Sequence, residues 1–156
     1  MNRPTPTFFL RLALAIFSVA FQVHAQNKPN FSGTWKMNAA KTKFEQGGPS
    51  ALTIKFDHQG SSLNEVLTIG NDGGERTANF AYTLDGKESD QQMAGQPIKA
   101  TAKVDGESLV IEFKNPQGFT FSRKCTLAAD GKTMTINVKQ VNPNGETNDL
   151  VVLDKQ

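Results

Sequence analysis

The chain is poor in the residues on which many small enzymes and exported scaffolds rely. Its 156 residues include one cysteine, Cys125, so no intramolecular disulfide can form and packing and hydrogen bonds must hold the fold. A buried, small apolar role suits such a cysteine better than a reactive one. Histidine is almost as scarce, with 2 in all, and His24 falls in the leader discussed below, which leaves His58. A single histidine cannot build a His-Glu-x-x-His zinc site, and no Gly-x-Ser-x-Gly turn accompanies it to suggest a serine triad. The loop acids Asp72, Glu75, Asp85, Glu88 and Asp90 lack the spacing of a calcium loop. No metal, cofactor or enzymatic activity is therefore expected.

Long apolar runs are also missing, except at the start. Arg3 and Arg11 supply positive charge, Phe8 to Phe21 is mostly apolar, and Val23-His24-Ala25 offers the small residues a signal peptidase needs. Residues 1–25 are read as an export signal cleaved after Ala25, which directs the protein to the periplasm or the extracellular space. The run is too short, and too closely followed by Gln26, Asn27 and Lys28, to span a membrane, so no membrane insertion is expected. Losing Arg3 and Arg11 lowers the 17 basic residues to 15, equal to the 15 acidic ones. With charge balanced and no Lys/Arg run, nucleic acid is not an expected partner. Residues 26–156 have the length of one domain, expected to be a monomer.

What the chain does contain is period-two alternation. Phe31, Gly33, Trp35 and Met37 alternate with Ser32, Thr34, Lys36 and Asn38, which is a half-buried strand. Asn38 to Ser50 breaks the pattern, with a short helical turn or irregular segment as the expectation and Asn38 as its N-cap, placed as a lid over one barrel end. From Ala51 onward, short alternating runs are separated by turn chemistry such as Asp72-Gly73, Asp85-Gly86, Asp105-Gly106, Asp130-Gly131 and Asn144-Gly145. These pairs suit tight hairpins because glycine reaches positive φ freely and Asp or Asn tolerates it. The expected fold is all-β, a single antiparallel up-and-down barrel of about ten strands. A two-sheet sandwich competes, but it needs longer crossovers than these nearest-neighbour turns provide. Inward sets are assigned by parity and include Leu52/Ile54/Phe56, Ala78/Phe80/Tyr82/Leu84, Leu109/Ile111/Phe113 and Leu150/Val152. Lys87 to Met93, nearly all polar, is expected to be a looser edge or a gap in the wall.

Gly33-Thr34-Trp35 resembles the Gly-x-Trp signature on the first strand of the lipocalins and the wider calycin superfamily. The run Phe31 to Lys36 is also similar to the opening of fatty-acid-binding proteins. From Asn30 to Gln156 the chain resembles small secreted bacterial lipocalin-like proteins. The resemblance implies a barrel that binds a small hydrophobic or amphipathic ligand, lipid or fatty-acid-like, inside it. The chain departs from lipocalins in lacking their C-terminal helix, and from fatty-acid-binding proteins in having too short a segment after strand one for two helices.

Eight residues are candidates for the ligand site. Trp35, Phe56, Phe80, Phe113 and Phe121 line the apolar interior by parity. Arg123 shares the inward parity of Phe121 and Cys125, and a buried guanidinium needs a partner. The resemblance implies a ligand carboxylate as that partner; stacking on Trp35 or pairing with an inward acid are the alternatives. Glu65 shares the parity of Leu63 and Leu67 and is either the counter-ion of Arg123 or, if a bulge intervenes, solvent-facing. Tyr82 offers a hydroxyl either to a ligand head group or to backbone. The alternative function is a filled barrel serving as a structural or protein-interaction module of the cell envelope, with the same aromatic residues as core.

Overall fold

The computed structural model describes residues 28–156. The expected signal segment, residues 1–25, lies outside the described residues. Ten strands follow one another: β1 (Gly33–Met37), β2 (Ala51–Gln59), β3 (Ser62–Asn71), β4 (Gly74–Thr83), β5 (Ser89–Met93), β6 (Gln96–Asp105), β7 (Ser108–Lys114), β8 (Thr120–Leu127), β9 (Thr133–Asn142) and β10 (Gly145–Lys155). They form one antiparallel sheet in the order β4-β3-β2-β1-β10-β9-β8-β7-β6-β5. Every neighbour along it is a sequence neighbour except β1 and β10, which join the two halves through Trp35↔Lys155 and Met37↔Leu153. The hairpins match the turn residues: Gly60, Gly106 and Gly131 all take positive φ, where a side chain would be strained, whereas Asp85-Gly86, expected to turn a hairpin, joins β4 to β5, which do not pair.

The sheet curls until its two end strands, β4 and β5, face each other without a ladder between them. The seam is held by the Gln91 side-chain amide donating to the Ala81 carbonyl at 2.6 Å and the Gly86 N–H donating to the Ala102 carbonyl at 3.0 Å. The barrel is thus nearly closed, and β5, the polar stretch expected to be weak, is one lip of its gap. Ser, Asp and Gln side chains have little to gain from burial; β5 is five residues long and pairs on one side only.

Two expectations need correction. Leu150 and Val152 do not face inward on β10. Asp149, Val151 and Leu153 do, opposite Val138, Ile136 and Met134, and Val151 and Leu153 belong to the core. The run Leu150-Val151-Val152-Leu153 is apolar on both parities, so alternation carries no phase there. The segment after β1 is the short turn and irregular stretch expected there, but it is not placed as a lid over a barrel end. It makes one turn, in which the Lys41 and Thr42 N–H groups donate to the Asn38 carbonyl and Lys41 N–H also reaches the Asn38 side chain at 3.2 Å. The chain then runs along the free edge of β10, pairing Lys43 with Leu150. Two Glu45 contacts pin it: its N–H donates to Asp149 at 2.9 Å, and its carboxylate accepts from the Asn148 N–H at 2.9 Å. The segment thus continues the role of β1 after an interruption, and Phe44 packs against the core.

Candidate functional site

The barrel's two ends differ. At the end where β1 starts, Phe31, Trp35, Leu63, Leu109, Met134 and Leu153 are fully buried. Trp35 Nε1 donates to the Phe31 carbonyl at 2.9 Å, and the Lys155 ammonium lies 5.1 Å from the Trp35 ring centre, a cation–π contact. Gly33 has φ +138°, and a Cβ there would stand 2.7 Å from Lys155 Cε. The glycine of Gly33-Thr34-Trp35 is therefore required twice, by its backbone and by the lysine that crosses it. His58 belongs to the same end: its Nδ1 accepts from the Phe31 N–H at 3.3 Å, while the Ser32 hydroxyl donates to the His58 carbonyl and accepts from its N–H.

The opposite end is less deeply buried. Antiparallel strands bring the end of β1, the start of β2, the ends of β3 and β5 and the start of β8 to one rim. The inward residues there, Met37, Leu52, Ile69, Met93 and Phe121, are only partly buried. They form a shallow apolar mouth above a packed lower half.

Beneath the mouth lies a polar cluster spanning the lumen. Arg123 on β8 and Glu65 on β3 are separated by four strands in the sheet order, so they meet only because the sheet closes. Arg123 Nη1 and Nη2 donate to Glu65 Oε1 and Oε2, both at 2.6 Å, a bidentate pair. The Tyr82 hydroxyl donates to Glu65 Oε2 at 2.9 Å. Arg123 is 3% and Glu65 1% exposed, which puts the pair in the dry interior. Burial opposes the guanidinium's charge, but Glu65's charge and hydrogen bonds outweigh it and hold Arg123 protonated. Burial, followed by the Glu65 charge, pushes the Tyr82 phenol upward, so it remains a donor. Arg123 Nε is buried with no hydrogen-bond partner among the described residues.

Aromatic rings surround this cluster. The Arg123 guanidinium sits 5.4 Å from the Phe113 ring centre, and Phe113 contacts Phe80 at 5.3 Å and Phe121 at 6.0 Å between centroids. The structure thus gathers Arg123, Glu65, Tyr82, Phe80, Phe113 and Phe121 into one interior group. It leaves Trp35 in the closed end, while Phe56, opposite Gly33 on one side and Glu65 on the other, links that end to the cluster. Arg123 does not stack on Trp35; Lys155 does. Parity alone could have found Lys155, two residues beyond Leu153 on the inward face, had β10 been read in phase.

A groove of about 320 Å³ runs over outward residues of β8, β9 and β10, including Ser122, Lys124, Lys139 and Asn148. Among the described residues there is no group of three or more His, Cys, Asp or Glu side chains able to hold a metal, and no helix is long and apolar enough to cross a membrane.

Cys125, the next inward residue after Arg123, is fully buried. Burial pushes its thiol from 9.0 up to about 12, only partly opposed by the Arg123 charge. A group protonated in the folded chain and ionised in the unfolded one favours folding less as pH rises. Its contribution is complete below about pH 9 and is lost progressively toward pH 12, at about 1.4 kcal/mol per pH unit. Urea midpoints across that window should fall more steeply for the wild type than for Cys125→Ala. The slope left in the variant comes from Tyr82, whose shift has the same sign.

No family model matches the chain, and no curated protein matches it in sequence. Solved structures do. A secretory abundant heat soluble protein of Ramazzottius varieornatus superposes with a TM-score of 0.66 at 14% identity, over 83% of this chain and 98% of that one. Zebrafish ileal bile acid-binding protein in complex with cholic acid gives 0.60 at 16%, over 81% and 98%. A fatty acid-binding protein from Drosophila melanogaster brain tissue gives 0.51 at 18%, over 80% and 99%. At these identities the likeness concerns architecture: the chain has the calycin-like β-barrel fold shared with the fatty-acid-binding proteins.

Proposed function

We propose that this protein is an exported, monomeric barrel that binds a small hydrophobic or amphipathic molecule, taken in through the open mouth and held above the Arg123–Glu65–Tyr82 cluster. The observation that carries the reading is the asymmetry of the interior: one end holds the fully buried Phe31, Trp35, Leu63, Leu109, Met134 and Leu153, with Leu84, Val104 and Leu127 half-buried around them, and faces a rim of half-buried Met37, Leu52, Ile69, Met93 and Phe121. Apolar side chains left partly wet around a concave opening, with a few convergent polar groups beneath, are the usual make-up of a small-molecule site. Neighbours in fold that bind cholic acid or fatty acids support the same class of ligand. Export rests on the Arg3 to Ala25 leader, and the role is binding rather than catalysis.

The test is a methyl NMR titration with fatty acids, retinoids, isoprenoids and cell-envelope lipids. Saturable shifts at Leu52, Ile69 and Met37 are expected, with Trp35 at the sealed end little changed. The bidentate pair bridging opposite walls favours the second reading, a filled barrel used as a structural or interaction module. Absence of any shift across the whole panel would decide for it.

A further inference from the structure

The binding function leaves the chemistry of the ligand's head group open, and the polar cluster narrows it. Both terminal nitrogens of Arg123 are already engaged by Glu65, each at 2.6 Å. Glu65 takes a further bond from Tyr82 at 2.9 Å. Within the cluster one buried cation faces one buried anion, so the cluster is neutral without a ligand; the other buried acid, Asp149, is held apart from it by the Glu45 N–H and the Gln140 amide.

We infer that the barrel selects neutral amphipaths (esters, alcohols or ketones) over carboxylates, because Glu65 already occupies the position an anionic head group would take on Arg123. This assignment rests on the binding function proposed above. A carboxylate reaching the cluster has two ways to bind. It can displace Glu65, leaving a buried carboxylate with little more than the Tyr82 hydroxyl, or it can settle beside Glu65 as a second negative charge. Both are costly in a dry site. Among the described residues no other buried cation compensates: Arg76, on the inward parity of Phe80, is exposed at the rim, and Lys155 is exposed at the sealed end.

A neutral oxygen meets neither obstacle. Glu65 takes two of the guanidinium's five N–H donors, and the nitrogen left with no bond at all is Arg123 Nε, buried and unpartnered among the described residues. Leaving such a group unsatisfied is unfavourable. A carbonyl, ether or hydroxyl oxygen satisfies it without bringing charge.

The experiment compares methyl dodecanoate with dodecanoate at neutral pH, by displacement of a fluorescent lipid probe, on the wild type and on Glu65→Gln. The wild type should bind the ester at least tenfold tighter. Glu65→Gln leaves the guanidinium's charge uncompensated, and its affinity for dodecanoate should rise at least tenfold over wild type. Equal or tighter binding of dodecanoate by the wild type overturns the assignment, as does an unchanged dodecanoate affinity in a folded Glu65→Gln. If the variant does not fold, the order of the two ligands on the wild type decides alone. Binding in the wrong order removes only the head-group assignment, whereas failure of both ligands to bind counts against the binding function itself.

Discussion

Arg123→Leu is expected to lower stability by about 3–5 kcal/mol, because it strands Glu65 in the interior as an uncompensated charge. Glu65 is 1% exposed and would keep only the Tyr82 hydroxyl, 2.9 Å from Oε2. Total stabilities of domains this size are about 5–15 kcal/mol, so the urea midpoint should move far. The triple variant Arg123→Leu/Glu65→Leu/Tyr82→Phe is expected to recover most of the loss. Replacing a whole buried ion pair by apolar groups is often neutral or stabilising by about 1–4 kcal/mol, and Tyr82→Phe avoids orphaning a hydroxyl that had donated to Glu65. Recovery would identify the pair as a device of specificity rather than of stability. If the triple variant is as unstable as the single one, the residues are needed for packing in the bridging layer, and the account of the cluster given above is wrong.

How far this cluster can be read from sequence follows from what alternation encodes. A period of two assigns a residue to a face, and it placed Arg123, Glu65, Tyr82, Phe80 and Phe113 inside. It does not say how high along the barrel a residue sits, nor which residues meet across the lumen. Arg123 pairs across its own sheet with Ile111 and Val138, while its ionic partner lies on β3, reached only through closure. For the same reason the choice between Trp35 and Glu65 as its neighbour stayed open until the register was known. On β10 even the face was hidden, because four consecutive apolar residues satisfy either phase, and that concealed Lys155 and Asp149. The Asn38 to Ser50 segment has the expected short turn and irregular chain, but its placement is not legible in the sequence, for a different reason. Its short polar run carries local turn signals, but its course is dictated by β10, whose free edge supplies the partners of Lys43 and Glu45.

The sealed end supports a second large effect. Trp35→Ala removes the largest fully buried side chain and is expected to cost about 3–5 kcal/mol from lost burial and cavity. A further ~1 kcal/mol or more follows because the Phe31 carbonyl loses the Nε1 donor that reaches it at 2.9 Å. Trp35→Phe should fall between wild type and alanine: it keeps a ring beneath Lys155 but forfeits that donor. Circular dichroism must follow the urea transitions, since the chain's 1 tryptophan has been removed. Combining Trp35→Phe with Arg123→Leu then tests the layout directly. Residues without shared partners lose stability additively to within about 0.3–0.5 kcal/mol. Arg123 lies over Phe113, and Trp35 lies under Lys155, so additivity is the expected result. A coupling energy well above that limit would mean that Arg123 and Trp35 share a partner after all, and would return Arg123 to the sealed end as the cation closing over the Gly33-Thr34-Trp35 tryptophan.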